Sequence, residues 1–483
     1  MNHQPTRRET LRYFASTAFG AFALSGCASL SRSPKPSGPP NIIYIMSDDH
    51  ASHAISAYGS KLNQTPNLDR LAKQGMRFTQ CFCTNSLCGP SRATLLTGKY
   101  SHMNGYTVND RKFDGAQQTF PKLLQQAGYQ TAMIGKWHLG STPTGFDFFS
   151  YMPGQGRYID PEFVDMDGQK RVTKGYITDI ITDKVINYLD TRDKTKPFCL
   201  LYHHKAPHRE WTPDAKHANL YDNIDLPEPP TFNDDYANRA SPARSTDMTI
   251  AKSLTKTDVK ADPPPGLTPE QLKQWKYQRF IKDYCRVIAS LDDNIGRLLD
   301  YLDKTGLADN TIVIYTSDNG FFLGDHGWFD KRFMYEESLH VPFIVRYPGH
   351  IKPSSVTNAF ALNVDFAPTF LDYADAPIPK DMQGRSLRRV FESNNTPTDW
   401  RKSIYYHYYE YPGPHKVQPH YGVRTDRYKL IYYNTVNEWE LFDLQTDPHE
   451  LKSVYNDPAY AAIRSQLESE LNRLRTDLKD TAP

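Results

Sequence analysis

The sequence predicts an α/β protein with a large, mainly parallel sheet flanked by helices, followed by a small antiparallel subdomain with a terminal helix. From Asn41 onward, apolar strand segments alternate with amphipathic helical segments, which is the pattern of a parallel sheet. Near Ile378 the pattern changes to short aromatic strands separated by turn residues. We therefore predict a main domain over residues 41–377 and a C-terminal subdomain over residues 378–483.

The alternation begins with NIIYIMSDD, a continuous apolar run typical of a strand buried on both faces. The segment from Thr65 to Gly75 reads as a helix with a capping threonine and a glycine stop. Three helix–strand pairs follow: FPKLLQQAG with YQTAMIGKWHLG, DIITDKVINYLDTR with FCLLYHHKAPH, and RVIASLDDNIGRLLDYLDKTG with NTIVIYTSDNG. The polar, proline-rich segment from Leu226 to Pro265 is predicted to be a surface excursion. In the subdomain, SIYYHYYEY, HYGVRTDRYKLIYY and EWELFDLQTD are predicted strands, and YAAIRSQLESELNRLRTDL is the terminal helix.

The composition excludes some classes of function. The 483 residues include 57 Lys and Arg against 55 Asp and Glu, so no global positive field favours nucleic acid as a partner. The six cysteines are too few and too irregularly spaced for a disulfide framework, and no zinc-type pair of C-x-x-C motifs is present. Cys81 and Cys83 share one face of a strand, which favours a structural thiol pair over a ligand pair.

The first forty residues are predicted to be an export signal and tether. Arg7 and Arg8 precede an apolar run that is too short to span a bilayer permanently. The run ends in LSGC, which resembles a bacterial lipobox with Cys27 as the lipidated residue. We expect a lipoprotein signal over residues 1–27, a flexible tether over 28–40, and a protein anchored by lipid to a membrane, in the periplasm or at the cell surface. An ordinary cleaved signal is the alternative, and Thr10 leaves both the twin-arginine and the general secretory route open.

Polar residues follow the apolar strand runs at four places. Because ligands bind beyond the carboxyl ends of parallel strands, we expect these residues to meet at one rim: Asp48, Asp49, Lys136, His138, His208, Asp318 and Asn319. Packed carboxylates repel each other unless a cation holds them or one is protonated. Three carboxylates and an amide oxygen suit Ca²⁺ or Mg²⁺ better than zinc. Taken singly, each lysine or histidine is more often a solvated or core residue.

These residues carry a resemblance to a known family. CGPSRATLLTG resembles the signature of the type I sulfatases of the alkaline phosphatase superfamily, and SDD, GKWHLG, APH, SDNG and DKRFMYEES follow in that family's order. GVRTDRYKLI and ELFDLQTDPHE resemble its C-terminal part. The resemblance extends from Asn41 to the C-terminus and implies an alkaline-phosphatase-like sandwich.

The resemblance implies a formylglycine mechanism. A separate formylglycine-generating enzyme would recognise the segment from Cys88 to Arg92 and oxidise Cys88 to an aldehyde, whose hydrate attacks the sulfur of a sulfate ester. A divalent ion, Ca²⁺ or else Mg²⁺, would be held by residue 88 together with Asp48, Asp49, Asp318 and Asn319. The remaining implied roles are a clamp on the hydrate for Arg92, sulfate binding for Lys136 and Lys331, general acid for His208, and base for His138.

The implied substrate is a sulfated carbohydrate. GSTPTGFDFFSYMPGQGRYIDPEF and HHKAPHREW resemble bacterial sulfatases that act on 6-O-sulfated N-acetylglucosamine in polysaccharides or glycosaminoglycan oligosaccharides. A marine polysaccharide such as ulvan or carrageenan, and a phosphodiester or phosphonate monoester, are alternative substrates. A non-catalytic glycan-binding lipoprotein is a third alternative, against which the complete set of catalytic positions argues. Candidates for sugar contact, or equally for building the subdomain core, are His407, Tyr409, His415 and His420.

Overall fold

The computed structural model describes residues 38–393 and 395–481. The predicted signal with Arg7, Arg8 and Cys27, and the predicted tether as far as residue 37, lie outside the described residues. Among the helices of the described ranges, none combines the length and apolar character that a membrane crossing requires.

The described residues form eighteen strands: β1 (Asn41–Ser47), β2 (Met76–Phe78), β3 (Cys81–Phe82), β4 (Gln130–Lys136), β5 (Phe148–Met152), β6 (Glu162–Asp165), β7 (Lys170–Val172), β8 (Phe198–His203), β9 (Thr311–Ser317), β10 (Phe322–Leu323), β11 (Phe329–Asp330), β12 (Phe343–Arg346), β13 (Ser355–Thr357), β14 (Ala361–Leu362), β15 (Ser403–Tyr408), β16 (His420–Thr425), β17 (Tyr428–Tyr433) and β18 (Glu438–Asp443). Ten of them make one sheet in the order β13-β2-β12-β9-β1-β8-β4-β5-β6-β7. The central strands β9, β1, β8, β4 and β5 run parallel, and antiparallel pairs lie on either side of them. The predicted mainly parallel sheet is confirmed.

The α-helices of the described ranges are α1 (Pro66–Gln74), α2 (Cys88–Thr97), α3 (Ser101–Asn104), α4 (Phe120–Gln126), α5 (Ile177–Thr191), α6 (Ser241–Ser245), α7 (Ile250–Ser253), α8 (Lys256–Val259), α9 (Pro269–Thr305), α10 (Glu336–Leu339), α11 (Phe366–Tyr373), α12 (Arg388–Ser393) and α13 (Ala461–Leu478). Two large apolar clusters cover the two faces of the main sheet. Ile43 and Ile45 of β1 belong to one cluster, and Ile42 and Tyr44 belong to the other. This strand is therefore buried on both faces, as its unbroken apolar run predicts.

Helix α9 is longer than the sequence pattern indicates. It begins at Pro269 rather than near Arg286, and spans 37 residues. Thr268 caps its first turn, where the hydroxyl accepts a hydrogen bond from the backbone N–H of Gln271 and the Gln271 side chain accepts one from the Thr268 N–H. Gly306 ends the helix in the left-handed conformation, at φ 72°.

The segment from Leu226 to Pro265 is not the surface excursion that its polar composition predicts. It contains the short helices α6, α7 and α8, and the side chains of Leu226, Met248 and Ile250 are buried. The backbone N–H of Phe329 donates to the Met248 carbonyl at 3.0 Å, which ties the segment to β11. The prediction was wrong because the few apolar residues are spread among many polar ones.

The C-terminal subdomain contains the predicted antiparallel strands. Within the described residues, β15 to β18 pair in order as a four-stranded sheet, and α13 packs against it. A third apolar cluster, rich in tyrosine and phenylalanine, fills the space between this sheet and the main domain. Cys81 and Cys83 are buried with free thiols, and neither belongs to a cluster of three metal-ligating side chains in the described part of the chain.

Candidate active site

The predicted polar residues meet at the carboxyl end of the central strands. Asp48 and Asp49 follow β1, and Asp318 follows the neighbouring strand β9, whose register with β1 aligns Ser317 with Ser47. One ligand atom from each of Asp48, Asp49, Asp318 and Cys88 lies within 4.8 Å of the others. Adjacent parallel strands thus deliver three carboxylates to the same buried point.

Cys88 is the first residue of α2, and all ten residues of this helix are buried. Its Sγ lies 3.3 Å from Oδ1 of Asp48 and 3.6 Å from Nζ of Lys331. A helix N-terminus favours negative charge, so the position suits a group that becomes anionic during a reaction. Burial and the nearby Asp48 hold the pKa of the thiol itself well above its usual range.

Gly89 gives the chain the room to place this turn. A Cβ at this position would come within 2.7 Å of the Tyr106 ring and 2.9 Å of the Asn109 amide oxygen. The same Asn109 oxygen accepts a hydrogen bond from the Gly89 N–H at 3.0 Å. The loop after α3 therefore packs directly on the first turn of α2.

Arg92 is fully buried, and its donors face Asp318. Its Nε and Nη2 donate to Oδ2 of Asp318 at 3.0 and 2.8 Å, and its Nη1 donates to the Lys136 carbonyl at 2.7 Å. The guanidinium therefore orients a carboxylate of the cluster. The contact with residue 88 that the family resemblance implies is absent from the hydrogen bonds of the described residues, and that role stays a prediction.

The two lysines pair with the two adjacent carboxylates. Lys136 Nζ contacts Oδ2 of Asp48 and donates to the Gln155 side-chain oxygen at 2.6 Å. Lys331 lies between β11 and α10, and its Nζ donates to Oδ1 of Asp49 at 2.6 Å. Both ammonium groups border the position of Cys88, where they could neutralise a bound anion.

The two histidines are both held in their neutral form. Burial and the charge of Lys136 lower the pKa values of His138 and His208 well below the usual range. His208 Nδ1 lies 2.7 Å from the Arg209 carbonyl and must donate to it, so Nε2 is the nitrogen that faces Asp49, at 3.8 Å from Oδ2. The Gln155 amide nitrogen lies 3.1 Å from Nε2 of His138.

The carboxylate cluster has the electrostatics of a cation site. Burial and the nearby Asp48 raise the pKa of Asp318 to about 7, and burial raises the pKa of Asp49. Burial opposes ionisation of Asp48 as well, but the nearby ammonium of Lys136 outweighs it and holds the pKa of Asp48 well below the usual range. The Nδ2 of Asn319 donates to Asp49 and to the Gly320 carbonyl, whereas its Oδ1 is buried without a partner. Three carboxylates and an orphaned amide oxygen fit Ca²⁺ or Mg²⁺.

The sugar-contact candidates of the C-terminal sheet are mostly structural. His407 is buried and its Nδ1 lies 2.6 Å from Oδ2 of Asp480. His420 is fully buried, and its Nε2 accepts a hydrogen bond from the Met334 N–H at 3.0 Å. Both rings are buried and have partners within the fold, and sugar contact by these two residues stays a prediction. Tyr409 is half-buried and stacks on His407 at a ring distance of 3.7 Å. His415 lies closest to the site, with Nε2 3.4 Å from Oδ2 of Asp330.

Three further polar residues border the site and were not predicted. Gln155 bridges Lys136 and His138, as described above. Asp330 and Arg332 flank Lys331, and the Arg332 Nε donates to Oδ1 of Asp330 at 2.9 Å. The sequence signal used above, a polar residue after an apolar run, misses them because they lie in a turn and beside a two-residue strand.

Comparison with known proteins identifies the family. A family model described as sulfatase matches residues 40–376, and one described as N-sulphoglucosamine sulphohydrolase, C-terminal, matches residues 324–477. An N-acetylglucosamine-6-O-sulfatase of Bacteroides thetaiotaomicron is 49% identical, with 96% of this chain and 90% of the relative covered. An ulvan-active sulfatase of Formosa agariphila is 27% identical over 91% of this chain and 82% of its own length.

Among solved structures, a protein in complex with its substrate D-glucosamine-2-N,6-O-disulfate superposes with a TM-score of 0.90 at 49% identity. The match covers 92% of this chain and 99% of that chain. The sulfatase model spans well over half of the sequence, and the alternating strands, the C-terminal sheet and the buried cluster around Cys88 agree with it. The chain therefore belongs to the sulfatase family of sulfuric ester hydrolases.

Proposed function

We propose that this sulfatase removes the 6-O-sulfate from glucosamine residues, N-acetylated or N-sulfated, in glycosaminoglycan-type oligosaccharides. The observation that carries the sugar assignment is the 49% identity, over 96% of the chain, to an N-acetylglucosamine-6-O-sulfatase. A structure of equal identity holds a 6-O-sulfated glucosamine as its substrate. The ulvan-active relative is only 27% identical, which makes ulvan the weaker alternative.

Residue 88 is proposed to be the nucleophile after conversion to formylglycine. A hydrated formylglycine supplies a hydroxyl that can attack sulfur. In this chain, Lys331 lies 3.6 Å from the Cys88 Sγ and Lys136 lies across the site against Asp48. The two ammonium groups are placed to hold the sulfate oxygens while negative charge accumulates on them.

His208 is proposed to protonate the leaving sugar oxygen. Because its Nδ1 donates to the Arg209 carbonyl, the transferable proton must sit on Nε2. The ring is neutral in the free enzyme, and the negative charge of a bound sulfate favours its protonation as the substrate arrives. His138, kept neutral by burial and Lys136, is proposed to accept the proton that residue 88 releases.

Asp48, Asp49, Asp318 and Asn319, together with residue 88, are proposed to hold Ca²⁺, with Mg²⁺ as the alternative. Such an ion lowers the pKa of a nearby hydroxyl and takes up charge from sulfate oxygens. The orphaned Oδ1 of Asn319 and the raised pKa of Asp318 support this assignment.

We also propose that the protein is exported and anchored through a lipid on Cys27. The supporting observation is the sequence alone: Arg7 and Arg8, the apolar run and LSGC. Replacing Cys27 by serine should release the protein from the membrane fraction. Replacing Arg7 and Arg8 by lysines should retain the precursor in the cytoplasm if the twin-arginine route is used, and undiminished export would favour the general secretory route.

The test of the sugar assignment is desulfation of defined monosaccharides. We expect release of sulfate from N-acetylglucosamine 6-sulfate and from D-glucosamine-2-N,6-O-disulfate at C6, with little release from N-acetylgalactosamine 6-sulfate or from 3-O-sulfated glucosamine. Paired aryl sulfate and aryl phosphate esters test the reaction class, and a large preference for phosphate would contradict it. Mass spectrometry of the peptide containing residue 88 reports on modification, since formylglycine is lighter than cysteine.

A further inference from the structure

A cleft of about 630 Å³ opens beside the catalytic residues. His138 and Gln155 line it, and both also belong to the network that holds Lys136. The cleft is therefore continuous with the reaction centre. Its other lining residues come from the loop after α3, from the loop after β4, from β5 and the loop after it, and from β6 and β7 at the edge of the main sheet.

The charge of this cleft is positive and uncompensated. Arg111, Lys112 and Lys170 line it against a single carboxylate, Asp110. All three cations are exposed, and none forms an ion pair with a carboxylate within the ranges that the structure describes. Elsewhere on the surface, some basic side chains, such as Arg70 and Arg171, pair with acids. Three unpaired cations around one concavity attract anions.

The walls of the cleft carry polar atoms that lack partners. Nε1 of Trp137, Nδ1 of His138 and Oγ of Ser141 are buried without a hydrogen bond, and all three residues line the cleft. The Trp137 side chain is 4% exposed. Buried polar atoms are nearly always hydrogen-bonded, so these three lining residues retain hydrogen-bonding capacity that the described residues do not use.

The loop that carries Arg111 and Lys112 is fixed to the catalytic elements. The Gly89 N–H donates to Asn109, and the Tyr106 hydroxyl donates to the Arg111 carbonyl at 2.7 Å. The Phe113 N–H donates to the Leu139 carbonyl at 2.8 Å, next to His138. These hydrogen bonds fix the backbone that carries Arg111 and Lys112 relative to residue 88.

We propose that this cleft binds a second anionic group of the glycan, a carboxylate or a further sulfate, while the 6-O-sulfate occupies the reaction centre. This inference rests on the proposed function and adds to it a class of substrate: a polyanionic oligosaccharide is preferred over a singly sulfated sugar. Its binding energy is used on a part of the substrate that does not react, so it lowers KM or raises kcat/KM only for substrates that carry the second charge.

The test compares one variant across four substrates. The variant combines Arg111→Ala, Lys112→Ala and Lys170→Ala, and the control combines Lys194→Ala, Lys304→Ala and Lys380→Ala, which are exposed lysines elsewhere on the molecule. The substrates are N-acetylglucosamine 6-sulfate, D-glucosamine-2-N,6-O-disulfate, a disaccharide of 6-sulfated N-acetylglucosamine and glucuronic acid, and the same disaccharide with its carboxyl reduced to an alcohol.

We expect the variant to lose about ten-fold in kcat/KM on a doubly anionic substrate, at about two-fold per exposed ion pair. Activity on the singly sulfated monosaccharide and on the carboxyl-reduced disaccharide should stay within about two-fold of the wild type, and the control should match the wild type throughout. A loss with the uronate disaccharide identifies a carboxylate as the ligand, and a loss with the disulfate identifies a sulfate. Equal losses on all four substrates, or no loss on either doubly anionic one, would overturn the inference.

A binding measurement separates this outcome from failure of the proposed function. Cys88→Ala, alone and combined with the three cleft substitutions, is titrated with the uronate disaccharide and with its carboxyl-reduced form. Weaker binding of only the charged form by the combined variant supports the cleft assignment even if the wild type desulfates none of these sugars. Unchanged binding of both forms contradicts it.

Discussion

The carboxyl rim of the main sheet and the C-terminal antiparallel sheet both hold buried histidines, yet these histidines have different surroundings. At the rim, His208 lies near three lysines and two carboxylates, with its Nε2 facing Asp49. In the C-terminal sheet, His420 lies among aromatic rings, and both of its nitrogens contact backbone groups. The role of a buried histidine therefore depends on where the fold places it, and the residue type alone does not predict that role.

The physical difference between His208 and His420 lies in the hydrogen-bond partners of their ring nitrogens. One ring nitrogen of His420 accepts a hydrogen bond from the Met334 N–H, and the other lies 2.8 Å from the Gln418 carbonyl. Neither nitrogen is therefore left to hydrogen-bond a ligand. His208 uses only Nδ1 within the fold, which leaves Nε2 for the reaction. The following predictions test this contrast.

The largest effect is expected at residue 88. Cys88→Ala should lower turnover by about 10⁴-fold or more, because it removes the side chain from which the nucleophile is made. The matched control is Cys83→Ala, which removes another buried thiol five positions earlier and should keep kcat within a few-fold of the wild type. Sulfate release from N-acetylglucosamine 6-sulfate measures both variants. Comparable losses would show that thiol burial, rather than position 88, decides activity.

Removal of divalent ions should have the second-largest effect on activity. We expect a chelator to lower turnover by about 10³-fold, since three buried carboxylates then face each other without a cation. Added Ca²⁺ at a thousand times its Kd should stabilise the wild type by about 4 kcal/mol. In Asp318→Asn this gain should largely disappear in a thermal unfolding experiment. A gain of the same size in both proteins would place the ion elsewhere.

Replacing His208 by alanine should lower kcat by about 10² to 10⁴-fold, as expected for loss of a general acid. Its free energy of unfolding should change little, because the ring contributes one hydrogen bond, to a neighbouring carbonyl. The loss should be smaller for an aryl sulfate with an acidic phenol, whose leaving oxygen needs no proton. Equal losses on sugar and aryl sulfates would argue for a structural role.

Replacing His420 by alanine should lower the stability of the protein and leave its activity nearly unchanged. We expect the free energy of unfolding to fall by about 2–3 kcal/mol, because the Met334 N–H loses its partner inside an aromatic core. The kcat value for desulfation should remain within about two-fold of the wild type, since a structural residue of this kind does not touch substrate. Denaturant unfolding and steady-state kinetics on the same preparation measure the two quantities. A fall in kcat without a fall in stability would support His420 as a sugar contact.

The smallest expected effect is a pH dependence of stability. Burial lowers the pKa of His420 to about 3, against about 6.5 in the unfolded chain. Its contribution is therefore fully present above pH 6.5 and is lost progressively as the pH falls below that value, by up to about 1.4 kcal/mol over the single pH unit from 6.5 to 5.5 in which it is measured. His420→Gln, whose amide oxygen can accept from Met334, should unfold with a shallower pH dependence in this window. Parallel curves for the two proteins would contradict the burial argument.

The sequence predicts the rim well because the rule behind it is topological. Asp48, Asp318 and Lys136 each lie at or directly after the end of a long apolar strand, and parallel pairing brings those ends together. Gln155 lies in a turn after β5, and no periodicity marks it. Asp330 is the second residue of a two-residue strand, and Arg332 lies two positions after it; the existence of this strand depends on tertiary contacts. The first half of α9 and the buried segment from Leu226 to Pro265 were missed because their few apolar residues are diluted by polar ones.

Helix α2 has a consequence for the order of events during biosynthesis. Cys88 is 1% exposed, and no residue of its helix reaches solvent to a substantial degree. If a formylglycine-generating enzyme acts on the segment from Cys88 to Arg92, as the proposed mechanism requires, the folded main domain offers it no exposed side chain of that segment. Under that proposal, oxidation of Cys88 competes with folding, and the time available depends on how fast β1 and β9 pair across about 270 intervening residues, since distant pairings form slowly. Slower synthesis or cooler growth should raise the active fraction without changing the sequence, whereas refolding purified unmodified chain should not.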